Sequence, residues 1–419
     1  MGGYCTVGMV SIDPNRLESS FEAYSAIGRT ENDGLHRLAL SEADARIRDR
    51  FVTDLEALDL AVRVDEVGNI FGRREGADPD AAPVLIGSHL DSQPYGGRFD
   101  GQLGVLSALE TLRALADADI DHERPIEIVN WTNEEGSRFK PALMGSGAFT
   151  GQLDTAEVLE TTDADGVSVA EALAEIGYDG DDPAEPQEPY HAALELHVEQ
   201  GPKLEEAGRS VGIVEGVLGM AWLEVTVHGD ADHAGPSPTH ARRDALVAAA
   251  DVVSAVRRLS NRAAADVVTT VGEFEVSPGS INVIPDTVRF TVDVRSYDDA
   301  VVGELVDHVE REVENACARE GVAYDLEEIW RIPHTEFSSS VANTALDAAA
   351  AVGASHQPMV SGAGHDATYL NELTETAMLF VPSVDGKTHN EAEYTAWPDV
   401  VEGAHVFAET VSRLVDAGD

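Results

Sequence analysis

The chain has 419 residues and 43% of them are hydrophobic, enough to bury cores in about two or three domains and to exclude wholesale disorder. Its 77 acidic residues outnumber 28 basic ones, and the formal net charge of −49 disfavours nucleic acid and anionic membranes as partners. The two cysteines, Cys5 and Cys317, argue against a disulfide framework or a cysteine metal site.

The spread of the acidic residues suggests where the protein works. They are distributed through helices and loops instead of one tail, which indicates an adaptation of the whole surface. Such self-repulsion is screened in concentrated salt, where the Debye length falls to about 3 Å at 1 M. Because no apolar run could span a bilayer and no leader-like segment opens the chain, we expect a cytoplasmic protein in a salt-rich cytoplasm. An acidic protein of an ordinary cytoplasm is the alternative.

The first part of the chain alternates between strands, polar loops and helices. In chain order we expect helices within 15–60, two short strands around Gly68-Asn69, a buried strand over 83–91, a helix over 103–118, a buried strand from 126, and a strand with a short helix over 191–208. This alternation predicts an α/β layer with a mixed, largely parallel sheet. In such sheets the functional site lies beyond the carboxyl ends of the strands.

The pattern changes near residue 210. Alternating strands, a long helix over 241–262 and a second helix over 300–320 predict a small inserted α+β domain. The chain then returns with a helix near 341–352, a loop over 361–370, a strand over 377–384 and a terminal helix from about 398. The predicted domains are a catalytic domain, 1–209 with 329–419, and an inserted domain, 210–328.

Polar clusters stand at the ends of several predicted strands. They are His89/Asp91/Asp100, Asn133-Glu134-Glu135, His197/Glu199 and His389-Asn390-Glu391. Taken singly, a histidine is usually a structural residue, and adjacent glutamates are usually a solvated turn. Together, imidazoles and carboxylates on neighbouring loops are what a hydrolytic metal site requires, with an unligated base nearby. The set therefore predicts metal-assisted hydrolysis.

Six segments resemble, in order, the landmarks of a known family. They are GSHLDSQPYGGRFDG, WTNEEGSRF, ELHVEQGP, DADHAGPSPTHARRDA, SGAGHDA and VPSVDGKTHNEAEYT. These segments resemble the hydantoinase/carbamoylase amidases of the dinuclear aminoacylase/carboxypeptidase superfamily, which include N-carbamoyl-L-amino acid hydrolases and allantoate- and ureidoglycolate-cleaving relatives. The resemblance covers nearly the whole chain. It implies a phosphorylase/hydrolase-like catalytic domain and an inserted, ferredoxin-like domain that serves as a lid and dimerises.

The resemblance implies two divalent metal ions per subunit. His89, Asp100 and His197 match the ligands of one ion. Asp100 bridges to a second ion, which Glu135 and His389 also hold; its two oxygens suit ions about 3.5–4 Å apart. Histidine with carboxylate accommodates zinc, manganese, cobalt or nickel.

Other residues of the catalytic domain match roles around the ions. Glu134 matches the general base, which takes a proton from water and delivers it to the leaving nitrogen. Asp91 fits a carboxylate that orients the imidazole of His89, with the capping of a helix or a turn as the alternative. Gln200 and the backbone of SGAGHDA, including Gly364, are expected to contact substrate.

The resemblance places three substrate-binding residues in the inserted domain. Arg295 matches the arginine that binds the substrate carboxylate, with Asn282 beside it, and His233 matches a histidine that polarises the scissile group. By itself, Arg295 could equally be a surface or ion-paired arginine. These positions imply that the inserted domain closes over the ions.

The predicted reaction is hydrolysis of the ureido C–N bond of an N-carbamoyl-L-amino acid or β-ureido acid, which yields amino acid, ammonia and carbon dioxide. We expect a homodimer acting on a small-molecule ureido acid. The wording DSQP and HNEAEYT favours carbamoylases over allantoate enzymes. The alternatives are an allantoate amidohydrolase, an aminoacylase or dipeptidase of the same superfamily, and a non-catalytic binding protein. Arg98 receives no role.

Overall fold

The predicted helices and strands assemble into two units. The computed structural model describes residues 10–260 and 267–416. The chain divides into a first unit, Met1–Gly216 with Glu336–Asp419, and a second unit, Val217–Thr335. The first unit ends at 216 instead of 209 and resumes at 336 instead of 329, so both boundaries lie seven residues further along than predicted.

The first unit opens with helices and strands that the apolar pattern indicates. In chain order they are α1 (Pro14–Ser25), α2 (Glu42–Glu56), β1 (Ala61–Val64), β2 (Ile70–Arg74), β3 (Val84–His89), α3 (Gln102–Asp117) and β4 (Ile126–Trp131). Next come α4 (Met144–Phe149), α5 (Thr155–Glu160), α6 (Val169–Ile176), β5 (Ala192–Val198), α7 (Lys203–Ala207) and β6 (Val211–Val217). Side chains cap the first two helices, since Asp13 accepts backbone N–H groups at the start of α1 and Ser41 does so for α2.

The rest of the chain forms the second unit and then completes the first. The second unit contains β7 (Gly219–His228), β8 (Asp232–His233), α8 (Ala245–Ser260), β9 (Val268–Ser277), β10 (Val283–Ile284), β11 (Thr287–Ser296), α9 (Asp299–Glu320) and β12 (Ala323–Ile332). After β13 (Thr335–Glu336) come α10 (Ser339–Val352), β14 (His356–Ser361), α11 (Asp366–Leu370), β15 (Glu375–Val381) and α12 (Trp397–Asp416). Along the described residues, no helix has both the length and the apolar character needed to cross a membrane.

A mixed sheet forms the centre of the first unit and confirms the predicted α/β class. Its strand order is β1-β2-β4-β3-β5-β15-β6-β13, with β14 beside β6. The four central strands β4, β3, β5 and β15 are parallel, whereas β1, β2 and β6 join by antiparallel pairing. These central strands are buried along almost their whole length, as expected where helices cover both faces.

Alternate residues of the central strands enter different cores. Ile86 packs in a large core beneath α1, α2, α3, α10 and α12. Its neighbour Leu85 points to the other face, into a smaller core with Trp131, Phe149 and Leu370. This alternation follows from the two-residue period of a strand, and it leaves the carboxyl ends of the parallel strands at one edge.

The second unit has an antiparallel sheet in the order β12-β7-β11-β9, with a separate β10-β8 ladder. Its core joins apolar residues of the sheet to α8 and α9; among them are Leu223, Val225, Phe290 and Val309. Strand β12 runs through the boundary predicted at 328/329, which is why the second unit extends further. The final two residues of the helix predicted over 241–262 lie outside the described residues.

Two other local predictions differ from the structure. The loop predicted over 361–370 contains α11, because Leu370 and its neighbours are buried against the sheet. Helices α5 and α6 lie in the acidic stretch 151–190, where no helix was predicted. Helix α6 has a capping box between Ser168 and Glu171, a signal that the spacing S-x-x-E carries in the sequence.

Candidate metal centre

The predicted metal ligands meet at the carboxyl edge of the central strands. His89 is the last residue of β3, His197 is near the end of β5, and Glu135 follows β4. Asp100 lies just before α3, and His389 lies in the loop after β15. Parallel strands bring their carboxyl ends to one edge, so segments distant in sequence converge here.

Asp100 stands between two groups of ligands. Its Oδ1 lies 3.0 Å from Nε2 of His197 and 3.5 Å from Nε2 of His89. Its Oδ2 lies 3.4 Å from Nε2 of His389, which is 3.5 Å from Oε2 of Glu135. We call His89, Asp100 and His197 the inner triad, and Asp100, Glu135 and His389 the outer triad; both are groups that could hold a metal ion.

The residues of both triads fit divalent ions. Imidazole nitrogens and carboxylate oxygens are the donors that such ions take in catalytic sites. The Nε2 atom of His89 is buried and has no hydrogen-bond partner among the described residues, as a ligand atom aimed at an ion would be. Gly101 leaves room beside it, since a Cβ there would overlap the His89 imidazole.

The triads differ in exposure and in what holds their histidines. The inner histidines are buried, and each Nδ1 contacts a backbone carbonyl, of Asp91 for His89 and of Val198 for His197. The side chain of His389 is 47% exposed, and its backbone has a φ of +53°. The outer triad is therefore the less constrained of the two.

Charge within the cluster shifts the pKa of each histidine upward. Burial lowers the pKa of His89, but Glu134, Asp100 and Asp91 together raise it well above its usual range. Burial likewise opposes the rise at His389, where Glu135 and Asp100 bring the pKa to about 9. Without ions, the carboxylates therefore favour the protonated form of these imidazoles.

Glu134 lies beside the ligands without belonging to either triad. Its Oε2 is 3.5 Å from Nε2 of His89, and burial raises its pKa well above the usual range against the attraction of His89. Asn133, just before it, has a φ of +53°, so the chain turns sharply between the strand and the glutamates. The turn directs Glu134 and Glu135 to different partners.

Asp91 supports this turn, a role close to the turn-capping alternative. Its carboxylate accepts the backbone N–H groups of Glu134 at 3.2 Å and Glu135 at 3.3 Å. The Nδ1 atom of His89 is 3.1 Å from the backbone carbonyl of Asp91 and 3.6 Å from its carboxylate. The backbone of Asp91 thus orients the imidazole, while its side chain holds the two glutamates.

Two glutamine side chains reach the outer triad. Gln93 donates from Nε2 to Oε2 of Glu135 at 2.8 Å, and its backbone N–H donates to Oε1 at 3.0 Å. Gln200 donates to Oδ2 of Asp100 at 2.8 Å and lies 3.3 Å from Nε2 of His389. A substrate contact was predicted for Gln200, whereas the contact of Gln93 with the predicted ligand Glu135 was not predicted.

Buried acidic residues below the inner triad were also missed. Glu195 lies two residues before His197, on the same face of β5, and accepts the hydroxyl of Ser88 at 2.7 Å. With His197 and His365 it forms a third group of metal-ligand type. Asp366 accepts the hydroxyl of Ser146, and burial raises its pKa well above the usual range. Gly364, half-buried, precedes His365 in this segment.

Known hydrolases are similar to this chain over nearly its whole length. Residues 85–413 match the peptidase family M20/M25/M40. The chain belongs to this family. It is 38% identical over 405 residues to an N-carbamoyl-L-amino-acid amidohydrolase of Rhizobium meliloti, covering 97% of each chain. It is 33% identical to a ureidoglycolate hydrolase of Arabidopsis thaliana, covering 97% of this chain and 87% of that protein.

Solved structures agree. A hydantoinase/carbamoylase family amidase of Burkholderia vietnamiensis superposes with a TM-score of 0.95 at 43% identity, covering 97% of this chain and 98% of that one. The resemblance inferred from the six segments is therefore confirmed, and the chain is a hydrolase of the M20 type. The roles of individual residues stay predictions.

The second unit brings two of its predicted residues together. His233 lies on β8 and is exposed, and the backbone carbonyl of Asn282 accepts the N–H of Ala234 at 2.9 Å. Arg295 lies on β11, where its Nη2 donates to Oδ2 of Asp293 at 2.6 Å. The guanidinium therefore already binds a carboxylate, and Asp293 was not singled out from the sequence.

The structure also places Arg98, which had no assigned role. Its Nη1 donates to Glu22 on α1 at 3.0 Å, and its guanidinium lies over the ring of Phe21. These contacts join the loop before Asp100 to the first helix. Arg98 is therefore an anchor of that loop.

Proposed function

We propose that the protein hydrolyses the ureido C–N bond of N-carbamoyl-L-amino acids or β-ureido acids and uses two divalent ions. The observation that carries this proposal is the position of Asp100, whose two oxygens face different triads while Glu134 lies alongside. The relative of R. meliloti, at 38% identity over the full chain, supports the substrate class.

The two triads would each hold one ion. Bound there, the ions supply Lewis-acid polarisation of the substrate carbonyl and activation of water. Asp91 and Gln93 keep the carboxylates of this centre oriented, and Gln200 restrains Asp100. These hydrogen bonds thus fix the predicted ligands in position before substrate binds.

Glu134 serves as the proton carrier in this proposal. The oxygen of water attacks the ureido carbonyl carbon, and Glu134 takes the proton that water loses. The bond from that carbon to the α-nitrogen breaks, and Glu134 returns the proton to the nitrogen as the amino acid leaves. Carbamate departs from the other side of the bond and decomposes to ammonia and carbon dioxide.

The second unit supplies substrate contacts in this proposal. Arg295 binds the α-carboxylate in place of Asp293, Asn282 assists, and His233 polarises the scissile carbonyl. Gln200 and the backbone at Gly364 complete the contacts. We further propose that the second unit serves as the lid and as the interface of a homodimer. Sedimentation analysis tests the dimer by measuring the mass of the protein in solution.

An allantoate or ureidoglycolate substrate is the second candidate, favoured by the A. thaliana relative at 33% identity. An ammonia-release assay separates the two. The panel holds N-carbamoyl amino acids, β-ureidopropionate, allantoate, ureidoglycolate and N-acetyl amino acids, assayed in high salt. Turnover of carbamoyl or β-ureido acids alone supports the proposal. Turnover of allantoate or ureidoglycolate alone overturns it, and no turnover favours a binding protein.

A further inference from the structure

The turn that carries His389 is fastened to the core by a carboxylate that the proposed reaction does not use. Glu393 is only 6% exposed. Its Oε1 accepts the backbone N–H groups of Phe99 and Asp100, each at 3.0 Å, and its Oε2 accepts the hydroxyl of Thr388 at 3.0 Å. One carboxylate therefore joins the segment of Asp100 to the segment of His389.

The neighbours of Glu393 are shaped around this arrangement. A Cβ at Gly97 would overlap the Glu393 carboxylate, so the glycine there admits it. The hydroxyl of Thr388 also approaches Oδ2 of Asp100 at 3.3 Å, the same oxygen that faces His389. Glu393 thus binds the backbone of Asp100 directly and reaches its Oδ2 through the Thr388 hydroxyl.

The rest of the turn over 388–393 is bonded mostly within itself. Asn390 donates to the carbonyl of Thr388 at 2.8 Å, and the N–H of Glu393 donates to the carbonyl of Asn390 at 3.0 Å. Glu391 adds a contact with Asn32 at 2.8 Å at the surface. These bonds shape the turn, whereas Glu393 provides its buried connection to Asp100.

We propose that Glu393 positions the outer triad, so that its loss weakens binding of the outer ion more than binding of the inner ion. The inference rests on the two-ion centre of the proposed function. A buried N–H that loses its acceptor is costly, so the segment of Asp100 would rearrange together with the turn of His389. The inner triad shares Asp100 but should be affected less, because its two histidines, His89 and His197, are held by β3 and β5.

Titration of the ion-free protein with Co²⁺ tests this assignment by calorimetry and by the visible absorption of the bound ion. We expect two equivalents in the unaltered protein. In Glu393→Ala the second equivalent should weaken by about 10–100-fold, and the first, which also uses Asp100, should weaken much less. Glu393→Gln should restore the second, because its amide oxygen still accepts both backbone N–H groups.

Two further variants keep the test decisive. Glu391→Gln is the matched control from the same turn and should bind both equivalents as the unaltered protein does. Thr388→Val removes only the hydroxyl that binds Glu393 and should weaken the second equivalent alone. If circular dichroism shows that Glu393→Ala is unfolded, Thr388→Val tests the role of Glu393 in its place. Unchanged affinities, or equal loss of both, would overturn the role of Glu393. Fewer than two equivalents in the unaltered protein would instead contradict the two-ion centre.

Discussion

Gln93 donates its side-chain amide to the carboxylate of Glu135 at 2.8 Å, and its backbone N–H binds the other oxygen of the same carboxylate at 3.0 Å. Ser137 donates to Oε1 of Gln93 at 2.9 Å, which fixes the orientation of the amide. The segment DSQP, whose sequence favours the carbamoylases, therefore also orients the carboxylate of the predicted ligand Glu135.

Replacing Gln93 by Leu should weaken metal binding. The change removes the side-chain hydrogen bonds to Glu135 while keeping similar volume, and loss of such a partner typically costs about 10–100-fold in metal affinity or activity. Metal content by mass spectrometry and ammonia release measure both effects. Ser137→Ala is the milder comparison, and a full metal complement with unchanged activity in Gln93→Leu would contradict this role.

Replacing Glu134 by Gln should abolish turnover while the ions stay bound. The amide has similar shape but cannot carry the proton, and general acid–base groups typically contribute about 10²–10⁴-fold in rate. Glu135→Gln is the contrasting variant, because it changes a predicted metal ligand and should lose metal together with activity. Retained activity in Glu134→Gln would remove it as the base.

Metal affinity should fall as the solution becomes more acidic. In the ion-free protein the pKa of His389 is raised to about 9, with burial opposing and Glu135 and Asp100 causing the rise, and the pKa of His197 is also raised. Where such an imidazole carries a proton, an ion must displace it, so affinity falls by about tenfold per pH unit for each proton released. Calorimetry in buffers of different ionisation enthalpy counts the protons, and a pH-independent affinity would contradict the shifts.

Replacing Arg295 by Lys should raise KM while metal content stays constant. Lysine keeps the charge but loses the two-pronged contact with a carboxylate, and hydrogen bonds to charged groups contribute about 1.5–3 kcal/mol each. We expect KM to rise by roughly 10–100-fold with a smaller change in kcat, as for lost ground-state binding. Steady-state kinetics on the best ureido acid measure this, and an unchanged KM would place the substrate carboxylate elsewhere.

The thermal midpoint should rise with salt. The net charge of −49 makes the folded state repel itself, and the Debye length shortens from about 10 Å at 0.1 M to about 3 Å at 1 M. Melting curves over a series of KCl concentrations test this, with sucrose as the uncharged control. Equal stability and activity without added salt would contradict the salt-rich cytoplasm inferred from composition.

Much of the fold could be read from local pattern. Short, largely apolar segments at β3, β4 and β5 that alternate with polar loops and helices indicated an α/β layer with a largely parallel sheet. The short helix α11 was not predicted, because it is stabilised by burial against the sheet and not by a local signal. Helix α6 was not predicted either, although its capping box is present in the sequence. Strand β12 is half-exposed, so its weak apolar pattern did not reveal the later domain boundary.

The sequence by itself determined which histidines and carboxylates are predicted as metal ligands and their places at strand ends, since the motifs and the strand pattern are both local properties. Only the tertiary structure decided which side chains hold those ligands. Asp91 binds the N–H of Glu134 across 43 residues, Gln93 binds Glu135 across 42, and Glu393 binds the N–H of Asp100 across 293. A hydrogen bond depends on distance and direction in space, and neither is encoded in the local spacing of residues so far apart.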